Sequence, residues 1–350
     1  MNQRQQLKLR DYLQYFRENQ VEHLPHTLEI DTQVPGKHIV LVGTLGGDEL
    51  PATIGMIKLH KLLKNNPGTL LSGKVTMILG NPQAFKQGES YLHEPLNKVF
   101  DSENGKSYEA KRAASIREYL LEAQPDLVLD FHTAPVGEMR MVVYPKEQMA
   151  QIGIIENISD ISYYAAFKSE FLPGRLVSLC TTAGITAFSI ECGNSKSKKS
   201  IGITFDHMVR TLEYFEMVKK KRIPQMMQHR IVETMQLFDI REVIVPLDGF
   251  RFSAFNVKTG MAIRKGDVYA TTDEGPLVAH EDCFLFLPKK NATGRDKSAG
   301  YLCKIYKFKR DVEAQKRERG IVDRPKAEAK EEVSDGTDET SKVETESKEA

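Results

Sequence analysis

Three short stretches carry residues able to do acid–base or ligand chemistry. Asp48 and Glu49 follow the apolar run HIVLVG in the turn VGTLGGDEL, His132 sits in DFHTAP, and Glu191 sits in SIECGN. A glycine-rich turn with two carboxylates at the end of a strand is a usual place to hold a ligand or a metal. This turn contains no histidine, which matters if it descends from a metal site. Each stretch also has a plain structural meaning. GGDE suits a tight turn running into a helix N-terminus, where acids complement the dipole. A histidine at a strand end is often simply hydrogen-bonded and half-buried. Glu191 is harder to dismiss, because an isolated carboxylate between apolar residues needs a partner or a function to offset its burial.

The elements that must position these residues are legible as apolar runs. HIVLVG (38–43), KVTMILG (74–80), DLVLDF (126–131), MRMVVYP (139–145) and ITAFSI (185–190) read as strands. The stretches 54–65, 107–123, 159–170 and 204–220 read as helices, after an amphipathic helix over 7–18 with Leu9, Tyr12, Leu13 and Phe16 at helical spacing. Apolar strands without polar alternation, separated by helices, predict an α/β fold with a mostly parallel sheet flanked by helices. The strand ends of such a sheet share one edge. Glu49, the NPQAF segment with Asn81 and Pro82, the SYLHEPLNKVF loop (90–100), His132 and Glu191 can therefore converge there.

After residue 230 the pattern changes to short strands broken by DG, KTG, KGD and DEG turns, which predicts a smaller C-terminal all-β domain. The expected organisation is an N-terminal helix and lead-in (1–34), the α/β domain (35–230), the β domain (231–308) and a charged tail (309–350). From 311 the tail has no aromatic residue and no leucine, a composition that predicts disorder. Its eight Lys/Arg against thirteen Asp/Glu give −5, so the remainder of this +1 chain carries +6. That excess favours an anionic ligand but is too weak and dispersed for nucleic acid. The four cysteines form no CxxC pair and read as reduced thiols. The first twenty residues lack the apolar core of a signal peptide, and no run is long enough to span a membrane. A cytoplasmic protein without a membrane partner is expected.

The order of motifs carries a resemblance. G-x-x-G-x-[DE]-E after a strand, then N-P-x-A-F, Y-x-x-x-x-L-N-[KR]-x-F, D-x-H-T and a strand-borne E-x-G resemble the succinylglutamate desuccinylase/aspartoacylase family, over about residues 35 to 305. The resemblance implies a zinc-dependent amide hydrolase with the carboxypeptidase A fold and a small β domain behind it. It implies zinc ligands at Glu49 and His132 and a general base at Glu191. The family's other ligand, the histidine of H-x-x-E, falls on Gly46, or on Leu45 if one residue is inserted, and neither side chain can bind a metal. Asp48 and His93 are the candidate replacements. The substrate-binding segment R-Y-x-x-x-D-L-N-R reads S-Y-L-H-E-P-L-N-K here, so Ser90 and Lys98 stand for arginines, Pro95 for the aspartate, and Asn97 remains. Lys196, Lys198 and Lys199, after Glu191, either bind an anionic group in place of the lost arginines or form a solvated loop.

Two ligands leave a zinc weakly held or absent, since a catalytic zinc takes three protein ligands and an open position. Losing the metal removes its activation of water. Two functions stay open. One is a divergent zinc-dependent hydrolase of an amide or ester bond in a small acyl-amino-acid-like substrate. The other is a pseudoenzyme that binds a small anion or a protein partner in the same cleft without turnover.

Overall fold

The structure of the chain, a computed structural model, describes residues 3–313 except 136, 138, 225, 228–231 and 295–297. Helix α1 (Gln3–Asn19) opens the chain and buries Leu9, Leu13 and Phe16. Strands β1 (Thr27–Asp31) and β2 (His38–Gly43) lead to α2 (Leu50–Asn65), followed by β3 (Lys74–Leu79) and the short α3 (Pro82–Gln87). A 3-10 turn (Leu96–Lys98) precedes α4 (Tyr108–Ala123), which Ser107 caps by accepting from Ala110 N at 2.9 Å. Then come β4 (Leu127–Ala134), β5 (Arg140–Pro145), α5 (Ile152–Ile158), β6 (Tyr163–Phe167), α6 (Leu176–Thr182), β7 (Ala187–Asn194) and α7 (Lys198–Tyr214). The C-terminal region holds β8 (Thr234–Ile244), β9 (Arg251–Phe252), β10 (Ala262–Ile263), β11 (Val268–Thr272), β12 (Gly275–Val278), β13 (Cys283–Phe286) and β14 (Gly300–Lys309).

Among the described residues eleven strands form one sheet in the order β1-β3-β2-β4-β7-β5-β6-β8-β14-β13-β10. Its centre is mostly parallel: β3 with β2, β2 with β4, β4 with β7, β5 with β6 and β6 with β8. Strand β5 runs antiparallel to β7, and the C-terminal strands pair antiparallel from β8 onward. Strands β9, β11 and β12 make a separate three-stranded antiparallel sheet. Alternation along the strands divides the core between the two faces. Ile39, Leu41, Leu129 and Phe188 pack with α2 and α7, while Val40, Val42, Val128 and Ala187 pack with α4 and α6. A third cluster around Phe250, Tyr269 and Leu285 fills the C-terminal β region.

The stretch 159–170, expected to be a helix, is a correction. Its YYAAF segment is β6, because pairing in parallel with β5 on one side and β8 on the other outweighs the helical preference of its alanines. The last strand of the α/β part runs on to Asn194, so Glu191 lies within β7 and not at its end. Met1–Val312 form one compact unit, and the β6–β8 ladder carries the main sheet past residue 230. The tail expected to be disordered lies outside the described residues beyond Glu313. No described helix is long and apolar enough to cross a membrane.

Candidate active site

The turn after β2 is held from several sides. Thr44 takes φ 59°, and its hydroxyl donates to Glu49 O at 2.9 Å and meets the Thr53 hydroxyl at 2.7 Å. Gly47 N donates to Ser90 O at 2.9 Å. A Cβ on Gly47 would lie 2.4 Å from backbone atoms of Ala84, Phe85 and Glu89, so only glycine fits. Glu49 takes the cap position of α2 but its side chain makes no capping bond there. The carboxylate turns towards β4.

In β4 the D-x-H spacing puts Asp130 and His132 on one face, while Leu129 and Phe131 enter the core on the other. His132 Nδ1 lies 3.2 and 3.1 Å from the two Glu49 carboxylate oxygens, and Nε2 lies 2.7 Å from Asp130 Oδ2. Ser189 donates to that same Asp130 oxygen at 3.0 Å. Asp130 Oδ1 is buried without a partner among the described residues. Burial opposes charge on His132, but the Asp130 and Glu49 carboxylates outweigh it and hold the imidazole well above its ordinary range. Burial pushes Glu49 up to about 7 against the pull of His132. The two carboxylates thus favour the charged form of the imidazole between them.

Glu191 is the register partner of His132 in the parallel β4–β7 ladder, and Ser189 shares its face of β7. It is half-buried, and its carboxylate has no hydrogen-bond or ion-pair partner among the described residues. Burial raises its pKa, opposed by the charges of His132 and Arg175 and reinforced by Asp130. Asn97 joins the group from the 3-10 turn. Its Oδ1 accepts from Leu176 N at 3.0 Å, which leaves Nδ2 facing His132 Nε2 at 3.1 Å.

Sequence reasoning missed Arg175. This half-buried residue occupies the cap position of α6, directly before the Leu176 amide that Asn97 holds. Its guanidinium forms no ion pair among the described residues, yet its charge acts on Glu191. The only signal in the sequence was a lone cation after the turn FLPG, immediately ahead of an apolar helix.

Other candidates fall differently. Lys98 is half-buried in the same 3-10 turn as Asn97. Ser90 is exposed, and its carbonyl accepts from Gly47 N in the turn. The side chain of His93 is 62% exposed and lies 3.3 Å from Glu109 on α4, so it pairs there and not with Glu49 and His132. Lys196, Lys198 and Lys199 are exposed at the entry to α7. Leu45 is buried in the core, whereas a Cβ on Gly46 would lie 3.0 Å from Glu49 Oε1 and 3.2 Å from Asp48 Oδ1. Of the two positions, Gly46 is the one that faces the carboxylates. Among the described residues no three His, Cys, Asp or Glu side chains are grouped to hold a metal. Of the candidate ligands only Glu49 and His132 come together among the described residues, whereas a catalytic zinc takes three protein ligands.

Comparison with known proteins agrees with this architecture. Succinylglutamate desuccinylase of Pseudomonas aeruginosa strain LESB58 is 26% identical over 194 residues, covering 51% of this chain and 57% of the relative. The chain thus spans little more than half the length of the curated relatives it matches. The crystal structure of succinylglutamate desuccinylase from Vibrio parahaemolyticus superposes with TM-score 0.62 at 19% identity, over 81% of this chain and 86% of that one. The product-bound ectoine utilization protein EutE (DoeB) of Ruegeria pomeroyi gives TM-score 0.53 at 19% identity, over 79% and 87%. These two likenesses speak for the fold alone. Residues 35–218 match the family model for the succinylglutamate desuccinylase/aspartoacylase catalytic domain, more than half of the chain. With that match spanning the turn, the D-x-H strand and the Glu191 strand, the chain belongs to the succinylglutamate desuccinylase/aspartoacylase family.

Proposed function

We propose that this chain is a divergent acyl-amino-acid hydrolase, with Glu191 as general base and a metal centre reduced to Glu49 and His132. The observation that carries the reading is the state of Glu191, a half-buried carboxylate without a bonding partner among the described residues. Such a group is costly to keep unless it takes a proton or meets a ligand. Burial raises its pKa, which makes it a stronger proton acceptor for an attacking water.

The cations point to the substrate class. Arg175 offers a planar fork to a substrate carboxylate beside the scissile bond, and Lys98 adds a point charge from the adjoining turn. Asn97 accepts from the Leu176 amide and lies beside the His132 ring, so the substrate-holding turn sits next to the catalytic strand. The curated relatives are named for succinylglutamate, which makes N-succinylglutamate the first substrate to test. General base catalysis alone supplies about 10²–10⁴-fold, so turnover is slow.

Glycine at position 46 favours a second reading, in which the cleft binds its small anion without turnover. Hydrolysis of N-succinylglutamate and its calorimetric binding, compared in the parent and Glu191→Gln, separate the two. Slow turnover that the substitution abolishes while binding persists supports the hydrolase. Binding without any turnover in the parent establishes the second reading, and the absence of both refutes each for this substrate class.

A further inference from the structure

A cleft opens where the starts of α3 and α4 meet the end of α1. It has a volume of about 630 Å³, within the usual range of small-molecule sites, and its lining includes Arg17, His26, Lys86, Tyr108, Lys111 and Arg112. Among the described residues no acidic side chain lines it. The four cations come from three separate helices, α1, α3 and α4, so the fold gathers them and no single run in the sequence displays them.

Arg112 is the anchor. It is only 7% exposed, and its Nε and Nη2 donate to the carbonyls of Gly80 at 3.0 Å and Leu79 at 2.9 Å. None of Arg17, Lys86, Lys111 and Arg112 forms an ion pair among the described residues. Glu109, one helical turn before Arg112, is engaged elsewhere, by Leu92 N at 2.7 Å, Asn81 at 3.4 Å and His93 at 3.3 Å. A buried guanidinium held by neutral carbonyls keeps its full charge without a counter-ion, an arrangement that costs free energy until an anion arrives. Burial pushes Arg112 down to about 10, and burial together with the Arg112 and Arg17 charges pushes His26 down to about 4. His26 is therefore a neutral hydrogen-bonding group in the cleft, which Tyr108 also lines.

We propose that this cleft is a binding site for a small phosphate-bearing anion, with Arg112 as its buried anchor and Lys86, Lys111 and Arg17 as its rim. Four cations around one space exceed what a single carboxylate needs and match a multiply charged group with several acceptor oxygens. The site is distinct from the Glu191 cleft and stands whether or not that cleft turns over substrate. The two are joined through the backbone. Arg112 holds the carbonyls of Leu79 and Gly80, while Gly80 N and Asn81 N donate to Gly43 O at 2.8 Å and Thr44 O at 2.9 Å, at the root of the Glu49 turn.

The test is calorimetric titration of the whole chain at low ionic strength with inorganic pyrophosphate, and in parallel with succinate. One equivalent of pyrophosphate is expected to bind, at least about tenfold tighter than succinate. The double variant Lys86→Gln/Lys111→Gln, on exposed positions that leave the Arg112 carbonyl bonds in place, should weaken pyrophosphate about tenfold. Arg175→Gln should leave pyrophosphate unchanged. Equal binding by parent and double variant overturns the proposal, as does a loss on Arg175→Gln, which would put the anion in the other cleft. Succinate binding as tightly as pyrophosphate overturns the assignment to phosphate.

Discussion

His132 and Glu191 stand side by side on neighbouring parallel strands, the imidazole wedged between two carboxylates and the glutamate bonded to nothing among the described residues. In the proposed reaction Glu191 is the proton acceptor. Glu191→Gln keeps the shape and removes the base. Turnover of an acyl-amino acid should fall by about 10²–10⁴-fold. The calorimetric Kd should stay within about threefold, as expected for an interaction made in the transition state and not on binding. A Kd that rises in step with lost turnover would mean that Glu191 binds ligand and does not act as a base.

Arg175→Gln should act on the other half of the cycle. A charge-assisted bond to a substrate carboxylate is worth about 1.5–3 kcal/mol, which corresponds to roughly 10–100-fold in affinity. Binding should weaken by that factor for a ligand with a carboxylate beside the scissile bond, and hardly at all for its amide analogue. Equal losses for both ligands would show that Arg175 supports the turn without touching the anion.

Acid should weaken the fold through buried histidines. His207 on α7 is fully buried, with Nδ1 2.7 Å from Ile203 O and Nε2 3.2 Å from Ser159 Oγ, so the neutral ring donates to the carbonyl and accepts from the hydroxyl. Burial, with Arg210 and Arg140 nearby and against Asp160, pushes it down to about 4. An unfolded imidazole titrates near ~6.5. Between these values the unfolded chain binds more protons, so stability falls as pH drops from about 6.5 and levels off below about 4. His26 and His60, also pushed down to about 4, act with the same sign. Melting scans from pH 7 to pH 4 should show Tm falling through this window. His207→Gln should start lower at pH 7 and fall less steeply. Glu49, pushed up to about 7, acts with the opposite sign in this window, so the difference between variants decides: a His207→Gln profile as steep as the parent's would contradict a buried neutral ring at 207.

What the sequence disclosed and what it withheld follow from how local each signal is. The runs HIVLVG and KVTMIL are mostly apolar, and both are strands paired on both sides within the main sheet. The D-x-H spacing is a two-residue period, and it puts Asp130 and His132 together without help from distant chain. Strand β6 was hidden because its identity comes from β5 and β8, one of them seventy residues onward, and not from its own alanines. Arg175 was hidden for the same reason: its effect on Glu191 exists only once α6 is docked against the end of β7. The basic cleft is assembled from three helices that the sequence keeps far apart. The choice between Leu45 and Gly46 was ambiguous by motif and is decided by side-chain direction, since Leu45 fills the core.

Zinc content tests the proposed reduced metal centre most directly. A Cβ on Gly46 would lie 3.0 Å from Glu49 Oε1, so Gly46→His introduces an imidazole against the existing pair, and glycine at 46 has no left-handed backbone to forbid it. Leu45→His, which buries its ring in the core, is the control. Metal analysis after mild dialysis and competition with a chromogenic chelator should find well under one zinc per chain in the parent. Gly46→His should hold zinc about 100-fold tighter or more, since even outer-shell partners of a metal are worth 10–100-fold. One tightly held zinc per chain in the parent, unchanged by Gly46→His, would contradict the reduced centre and require a third ligand that already completes it.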